Sequence, residues 1–196
     1  MTSTAPTTLT AGTTEATLDP AVLDTPTLDT ATLDTPAGPF TVVATDAGEV
    51  LAAGFTTDLD ALLAPVHPAL RGPAAPRRRA DLGPVTDAVL SYLEGDLAAL
   101  DTVPVRQRSG GRFLEHAWQR LRAVPPGRPV SYTAFAALAG RPAAVRAAAQ
   151  ACARNAAALF VPCHRVIRTD GSLGGYRWGL EVKAWLLAHE SRVRTT

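Results

Sequence analysis

The chain has 196 residues, 46% of them hydrophobic, with two cysteines and a formal net charge of +1. That length allows one large domain or two small ones; the composition excludes a disulfide framework, a bilayer-spanning segment and a signal peptide at the start, so a cytoplasmic protein with a free thiol is expected. The small net charge hides an asymmetry, because residues 1–60 hold nine acidic side chains and no Lys or Arg, whereas residues 61–196 hold the other nine acids and all 19 basic residues, a net of +10. A basic C-terminal part suits a polyanionic partner, although an arginine-rich solvated surface has the same composition.

Residues 1–37 are rich in Thr, Ala, Asp and Pro and carry a five-residue echo: Leu18-Asp19-Pro20, Leu23-Asp24-Thr25, Leu28-Asp29-Thr30, Leu33-Asp34-Thr35. With no aromatic residue and little to pack, they read as a disordered acidic tail. Residues 40–56 alternate weakly around a Thr45-Asp46-Ala47-Gly48 turn, which predicts a β-hairpin. A short helix is expected over 58–64. A loop is expected over 65–80, where Pro65, Pro68, Gly72, Pro73 and Pro76 cluster and Arg77-Arg78-Arg79 reads as solvated surface. Pro84 through Leu93 reads as a helix burying Val85, Val89 and Tyr92 or Leu93, closed by Gly95. Residues 96–112 contain Pro104 and Gly110-Gly111 and read as a linker, giving an N-terminal domain over 38–105 and a C-terminal domain over 109–191.

In the second domain, Leu114, Ala117, Trp118 and Leu121 stand at i, i+3, i+4 and i+7, an amphipathic helix stopped by Pro125-Pro126-Gly127. Ser131 is the expected N-cap of a helix running to Leu138, with Gly140 past its end. Pro142 is expected to open a second helix through about Cys152. Two short helices joined by a Gly-containing turn form a helix-turn-helix. The second is nearly bald, with Ala143, Ala144, Ala147, Ala148, Ala149 and Ala151, so its backbone can approach a groove closely. Arg146 and Gln150 share one face, and a cation on such a helix suits minor-groove entry; a generic alanine-rich helix with solvated arginines has the same pattern. Asp170-Gly171 is a turn, Gly174-Gly175 a flexible loop, and Leu180, Ala184, Leu187 and Ala188 mark a last amphipathic helix ending near Glu190.

The chemistry concentrates in Phe160-Val161-Pro162-Cys163-His164-Arg165-Val166-Ile167. Pro162 biases Val161 toward extended backbone, which places Cys163 at the end of an extended segment. A thiol becomes a nucleophile when a base or cation lowers its pKa, and His164 and Arg165 are the nearest candidates. A lone cysteine in an apolar run is also an ordinary small buried hydrophobe. The remaining histidines, His67, His116 and His189, show no metal-ligand spacing, so no metal and no cofactor are expected.

Pro162-Cys163-His164-Arg165-Val166 resembles the signature of the O6-alkylguanine-DNA alkyltransferases, the methylated-DNA–protein-cysteine methyltransferases. Collinear matches extend upstream through Pro126-Gly127-x-x-Val130-Ser131-Tyr132, Ala136-x-Leu138-Ala139-Gly140-x-Pro142, Arg146-Ala147 and Asn155. Downstream they run through Gly175-Tyr176-Arg177-Trp178-Gly179-Leu180 and Lys183-x-x-Leu186-Leu187-x-x-Glu190. The match is strong from about Phe113 to Glu190 and weaker back to Gly38. The resemblance implies an α+β fold: a small N-terminal α/β domain with a ribonuclease-H-like sheet, then a winged-helix-like DNA-binding domain.

It further implies stoichiometric transfer of an alkyl group from O6-alkylguanine in double-stranded DNA to Cys163, after the base has been flipped out of the stack. His164 would act as base through a water, oriented by Glu190, and Asn155 would brace the turn before the acceptor. Tyr132 would push the neighbouring phosphate and hydrogen-bond the flipped base. Arg146 would fill the gap the base leaves, with Ala147 and Gln150 also at the DNA, and Val166, Tyr176 and Arg177 would line the base pocket. Some relatives hold zinc in the N-terminal half; this chain has no cysteine there. A monomer acting on alkylated DNA, away from membranes, is the expectation. Departures from the family pattern are Glu115-His116 before Ala117-Trp118, Ala149 in place of a usual glycine, and Ala156 in place of a usual proline. Three other readings stand beside this one. They are a DNA-binding protein that recognises the alkyl lesion without removing it, a cysteine hydrolase, and a plain helix-turn-helix regulator.

Overall fold

The computed structural model describes residue 1 and residues 26–193, and its first regular element corrects the reading of residues 1–37 as a disordered tail. Residues 2–25 lie outside the described residues, but Leu28–Thr35 forms strand β1, paired antiparallel with β2 (Gly38–Thr45). The echo obscured it for a physical reason. Residues five apart point to opposite faces of a strand, so Leu28 and Leu33 pack into two different apolar clusters, one on each side of the sheet. Gly38, at φ 107°, closes the connecting turn where Thr35 Oγ1 donates to its carbonyl at 2.6 Å.

The expected hairpin is present as β2 and β3 (Val50–Gly54), with a bulge between Val43 and Ala44. Helix α1 (Leu59–Leu63) starts where Asp58 accepts from the Ala61 amide at 3.0 Å, an N-cap of the usual kind. The expected loop over 65–80 instead holds a one-turn helix α2 (Pro68–Arg71) and a short strand β4 (Arg77–Arg78), parallel to β1. Two of the three arginines are not simply solvated: Arg77 and Arg79 both reach Asp29 on β1, at 2.7 and 3.5 Å. The sheet order is β3-β2-β1-β4. On one face Val43 and Leu51 pack with Leu62, Val66 and Leu70. On the other, Phe40, Val42 and Val50 meet Val85, Val89 and Tyr92 of helix α3 (Pro84–Glu94), which ends at Gly95 in the left-handed region.

The linker over 96–112 contains a 3₁₀ turn, Ala99–Thr102, and leads into helix α4 (Arg112–Arg122), whose buried face is Ala117, Trp118 and Leu121. After β5 (Val130–Ser131), the Ser131 hydroxyl caps α5 (Tyr132–Leu138) by accepting from Ala134 N at 3.0 Å. Helix α6 begins at Val145 and runs to Ala153, three residues later than expected. Pro142 sits instead at the second position of a turn closed by Ala144 N donating to Arg141 O at 2.9 Å, a place that suits its fixed φ. Strand β6 (Val166–Ile167) pairs parallel with β5, and α7 (Leu180–Val193) completes the chain. The buried face of α7 is Val182, Lys183, Leu186 and Glu190, whereas Leu180 and Ala184 are exposed. The apolar spacing therefore marked the wrong side, because two of the four inward residues are charged.

The fold is mixed α+β, and its two halves share one apolar cluster. Phe40, Val42 and Tyr92 from the first half lie in the same buried group as Leu121, Phe160 and Leu186 from the second. Backbone pairing crosses as well: Ala53 N donates to Ala156 O at 2.9 Å and Ala158 N to Ala53 O at 2.8 Å. Gly54 lies flat against Trp178, where an added Cβ would stand 2.2 Å from Cζ2. The loop before Cys163 is thus hydrogen-bonded to the edge of the N-terminal sheet.

Candidate active site

Cys163 does not end an extended segment. Val161 N donates back to Ala157 O and Cys163 N to Val161 O, at 2.9 and 2.8 Å, and Cys163–Arg165 makes one 3₁₀ turn. Leu159, buried, takes φ 66° in this tight reversal, a conformation costing a leucine roughly 1–2 kcal/mol. Core packing and a side-chain brace hold the turn. Asn155 is buried, and its Nδ2 donates to Val161 O at 2.7 Å and to Cys163 Sγ at 3.2 Å. Its Oδ1 accepts from Ala157 N at 3.1 Å and from Gln107 Nε2 at 2.9 Å. All four hydrogen bonds fix one asparagine between the C-terminus of α6 and the thiol.

Burial pushes the Cys163 thiol up, against the Asn155 hydrogen bond and the nearby Lys183 charge, which pull it down. The resting group is therefore the protonated thiol, and a reaction at sulfur needs a proton acceptor. His164, fully buried, is held low by desolvation and so is neutral near pH 7. Its Nε2 lies 2.8 Å from Glu190 Oε1, while Nδ1 is buried with no hydrogen-bond partner among the described residues. With the proton on Nε2 facing the carboxylate, Nδ1 is a free acceptor.

Glu190 collects donors from four directions. Besides His164, Arg165 donates through Nε at 3.1 and 3.2 Å and through Nη2 at 3.0 Å. Tyr92 Oη donates at 3.0 Å and the Gly127 amide at 3.1 Å. Burial alone would raise this carboxyl, but the His164 hydrogen bond and the Arg165 charge outweigh it and bring it down to about 2. The second guanidinium edge of Arg165 is used on Val124 O at 2.6 Å, so the buried ion pair has no idle donor group facing the core.

A cavity of about 290 Å³ opens onto Sγ, lined by Tyr132, Ala149, Cys152, Asn155, Tyr176, Arg177 and Trp178. Half-burial raises Tyr132 to about 12, so it keeps its proton and is a donor at neutral pH. The buried Tyr176 hydroxyl has no partner among the described residues. Gly174, at φ 67°, lets the loop pass Tyr132, which an added Cβ would meet at 3.1 Å. Arg177 Nη2 donates to Ala153 O at 2.9 Å, and its guanidinium lies over Trp178.

The fold thus brings Cys163, His164, Asn155 and Glu190 together, with Tyr132, Tyr176 and Arg177 on the cavity wall. Val166 is not among the lining residues; its carbonyl accepts from Lys183 Nζ at 2.6 Å. Arg146 and Gln150 are exposed on α6 and Ala147, next to Arg146, is half-buried, while Ala148 and Ala151 face the core. Sequence reasoning missed Tyr92, Gln107 and Lys183, and it offered Arg165 to the thiol, whereas that guanidinium is spent on Glu190 and Val124 O. Lys183 carried a usable signal: it stands three residues before Leu186 and seven before Glu190, on one helical stripe. Its ammonium also reaches Leu173 O, tying α7 to the strand and loop after the acceptor. Among the described residues no three His, Cys, Asp or Glu side chains group as a metal site, and no helix is long and apolar enough to cross a membrane.

Comparison with known proteins finds a match of residues 112–192 to the family model "6-O-methylguanine DNA methyltransferase, DNA binding domain". The chain is 45% identical over 122 residues to the Escherichia coli "Bifunctional transcriptional activator/DNA repair enzyme Ada", covering 61% of this chain and 34% of that protein. It is 43% identical over 108 residues to a Salmonella typhimurium methylated-DNA–protein-cysteine methyltransferase, covering 55% of this chain and 63% of that one. The aligned stretch is therefore less than two thirds of either relative. Among solved structures it resembles Mycobacterium tuberculosis O6-methylguanine methyltransferase, at TM-score 0.67 and 26% identity over 84% of this chain and 93% of that chain. A complex of the same organism's OGT with DNA matches with TM-score 0.67 at 27% identity, over 84% of this chain and 94% of that one.

Proposed function

We propose that this chain, which through residues 112–192 belongs to the 6-O-methylguanine DNA methyltransferase family, repairs alkylated double-stranded DNA by direct reversal. In this reading the four-stranded sheet is a ribonuclease-H-like scaffold and the C-terminal half a winged-helix-like DNA-binding unit. Residues 109–191 carry the catalytic and DNA-binding work.

The observation that carries the proposal is the buried Cys163 thiol at the end of a side-chain-lined cavity, bonded to Asn155 and adjacent to a histidine whose far nitrogen is held by a carboxylate. The cavity takes an extruded guanine, since O6 is out of reach inside the stack. Arg146, on the exposed and otherwise bald α6, fills the gap in the duplex, with Ala147 and Gln150 beside it at the groove. Tyr132 donates a hydrogen bond to the base, and Tyr176 and Arg177 hold its edges.

Sulfur attacks the alkyl carbon, the S–C bond forms, and the C–O6 bond breaks with its electron pair leaving on guanine. The thiol proton passes through a bridging water to His164 Nδ1, and the imidazolium is stabilised by Glu190. Donation from the protonated Tyr132 stabilises the leaving guanine. The product is a thioether, which has no easy hydrolytic route, so each molecule reacts once.

The test is intact-protein mass after incubation with an O6-methylguanine oligonucleotide, followed by peptide mapping. One methyl on the Cys163 peptide, absent in Cys163→Ser, is the expected result. An unmodified protein that still binds the oligonucleotide would overturn transfer in favour of lesion recognition alone.

A further inference from the structure

A second concavity, of about 440 Å³, adjoins the Cys163 cavity and is lined by donors from both halves of the chain: His67 and Arg71 from the first, Arg108 and Ser109 from the linker, Arg154 and Arg177 from the second. No Asp or Glu is among its lining residues. The side chains of Arg108 and Arg154 are exposed and make no hydrogen bond, ion pair or ring contact among the described residues. Arg71 and Arg177 are held in place by backbone carbonyls, at 2.8 Å to Val66 O and 2.9 Å to Ala153 O, which orients each guanidinium without neutralising it. Behind the lining, Glu115 accepts from the Ser109 amide at 3.0 Å, one carboxylate against four arginines; the excess cations repel one another, and an anion relieves that repulsion.

Position then selects the anion. Arg177 lines both the Cys163 cavity and this cleft, and Arg154 directly precedes Asn155, the brace of the thiol. Arg146 and Arg154 lie eight residues apart at opposite ends of α6, about 12 Å along its axis. A strand whose base occupied the cavity would have its backbone leave past Arg177. We infer that the cleft is a phosphodiester-binding groove that continues the DNA footprint from α6 onto the N-terminal half, holding the backbone of the strand that carries the extruded base. Guanidinium groups suit this ligand because they meet phosphate oxygens in pairs.

The inference rests on the proposed DNA binding but not on alkyl transfer, and its test separates the two. The full-length protein and Arg108→Ala/Arg154→Ala are titrated with an unmodified duplex over a range of salt. Loss of two phosphate contacts lowers the slope of log K against log salt by about 0.9 for each. Transfer from free O6-benzylguanine, which has no backbone, stays unchanged, showing an intact fold and thiol. Arg108→Lys/Arg154→Lys retains most of the slope. An unchanged slope in the alanine variant overturns the inference, as does wild-type protein that binds no duplex. If inorganic phosphate binds the wild type and not the alanine variant while the DNA slope stays the same, the cleft is a small-anion site and the backbone reading falls.

Discussion

Among the described carboxylates met by arginine, Asp29 and Glu190 do different work. Asp29 sits on β1 with a 12% exposed side chain, and its partners Arg77 and Arg79 are 53% and 55% exposed. Glu190 sits on α7 with no exposure, and both its arginine and its histidine are buried with it. The hydrogen bond from Arg77 holds Asp29 below its usual range, but water competes for that arginine from outside. At Glu190 nothing competes, so every donor counts and every lost donor leaves an unpaired group. The surface pair trims a strand edge; the buried cluster ties α3, the 125–127 turn, the acceptor turn and α7 to one point.

The largest break comes from removing the buried carboxylate. Glu190→Ala leaves Arg165 charged and buried with only a carbonyl partner, and loss of one member of such a pair costs about 3–5 kcal/mol. Urea unfolding should show that loss, and alkyl transfer should disappear with it. Acid gives the same contrast in the wild type. His164 is held below 6.5, so the unfolded chain takes up its proton first and stability declines as pH falls through that value. Glu190 is held at about 2 against 4.5 in the unfolded chain, so its contribution is full above 4.5 and drains away as pH falls toward 2. A stability profile that is flat from pH 7 to pH 3 would contradict both assignments.

A gentler break tests whether the N-terminal half takes part in the chemistry. Tyr92 lies 98 positions from Glu190 in the chain, yet donates to the same Oε1 that His164 meets. Tyr92→Phe keeps the ring and removes one donor to a charged acceptor, a loss of about 1.5–3 kcal/mol in unfolding free energy. A structural role predicts that alone. A positioning role predicts more: with one donor gone, Oε1 draws more strongly on His164, the imidazole protonates at higher pH, and the acid limb of the transfer rate moves upward. An unmoved limb with reduced stability assigns Tyr92 to packing only.

These contacts also mark what was legible in the sequence. Helix α3 was readable because apolar spacing, Pro84 at its start and Gly95 at its end agree, α4 from its apolar spacing and the Pro125-Pro126-Gly127 stop, and α5 from the Ser131 cap and Gly140 past its end. The residues around Cys163 were readable as a group because several short motifs stand in one order. Strand β1 was hidden by a five-residue echo that splits its leucines between two faces. The inward face of α7 was hidden because Lys183 and Glu190 lie on it, and periodicity counts only apolar residues. Tyr92 and Gln107 were hidden for a third reason: their partners are far away in the chain, and no local pattern records such a contact. The late start of α6 shows local chemistry choosing between two uses of one proline, since Pro142 serves a turn as well as it would a first helical position.

The smallest effect should come from the surface carboxylate. Asp29→Asn keeps the side chain's shape on β1 and removes the charge that Arg77 and Arg79 share. Strand β4 is held to β1 by only two paired residues, Asp29 with Arg77 and Thr30 with Arg78, so any loss should appear first as faster amide exchange at Arg79, whose N–H donates to Thr30 O at 2.8 Å. The change in unfolding midpoint should be a small fraction of that for Tyr92→Phe and should shrink further in high salt, because exposed pairs are screened. Glu190→Ala should keep its deficit in the same salt, the stranded Arg165 charge being out of reach of the ions. If Asp29→Asn instead matched Glu190→Ala in size and salt resistance, exposure would not be what separates the two carboxylates, and the attachment of edge strand β4 to β1 would be a pillar of the fold.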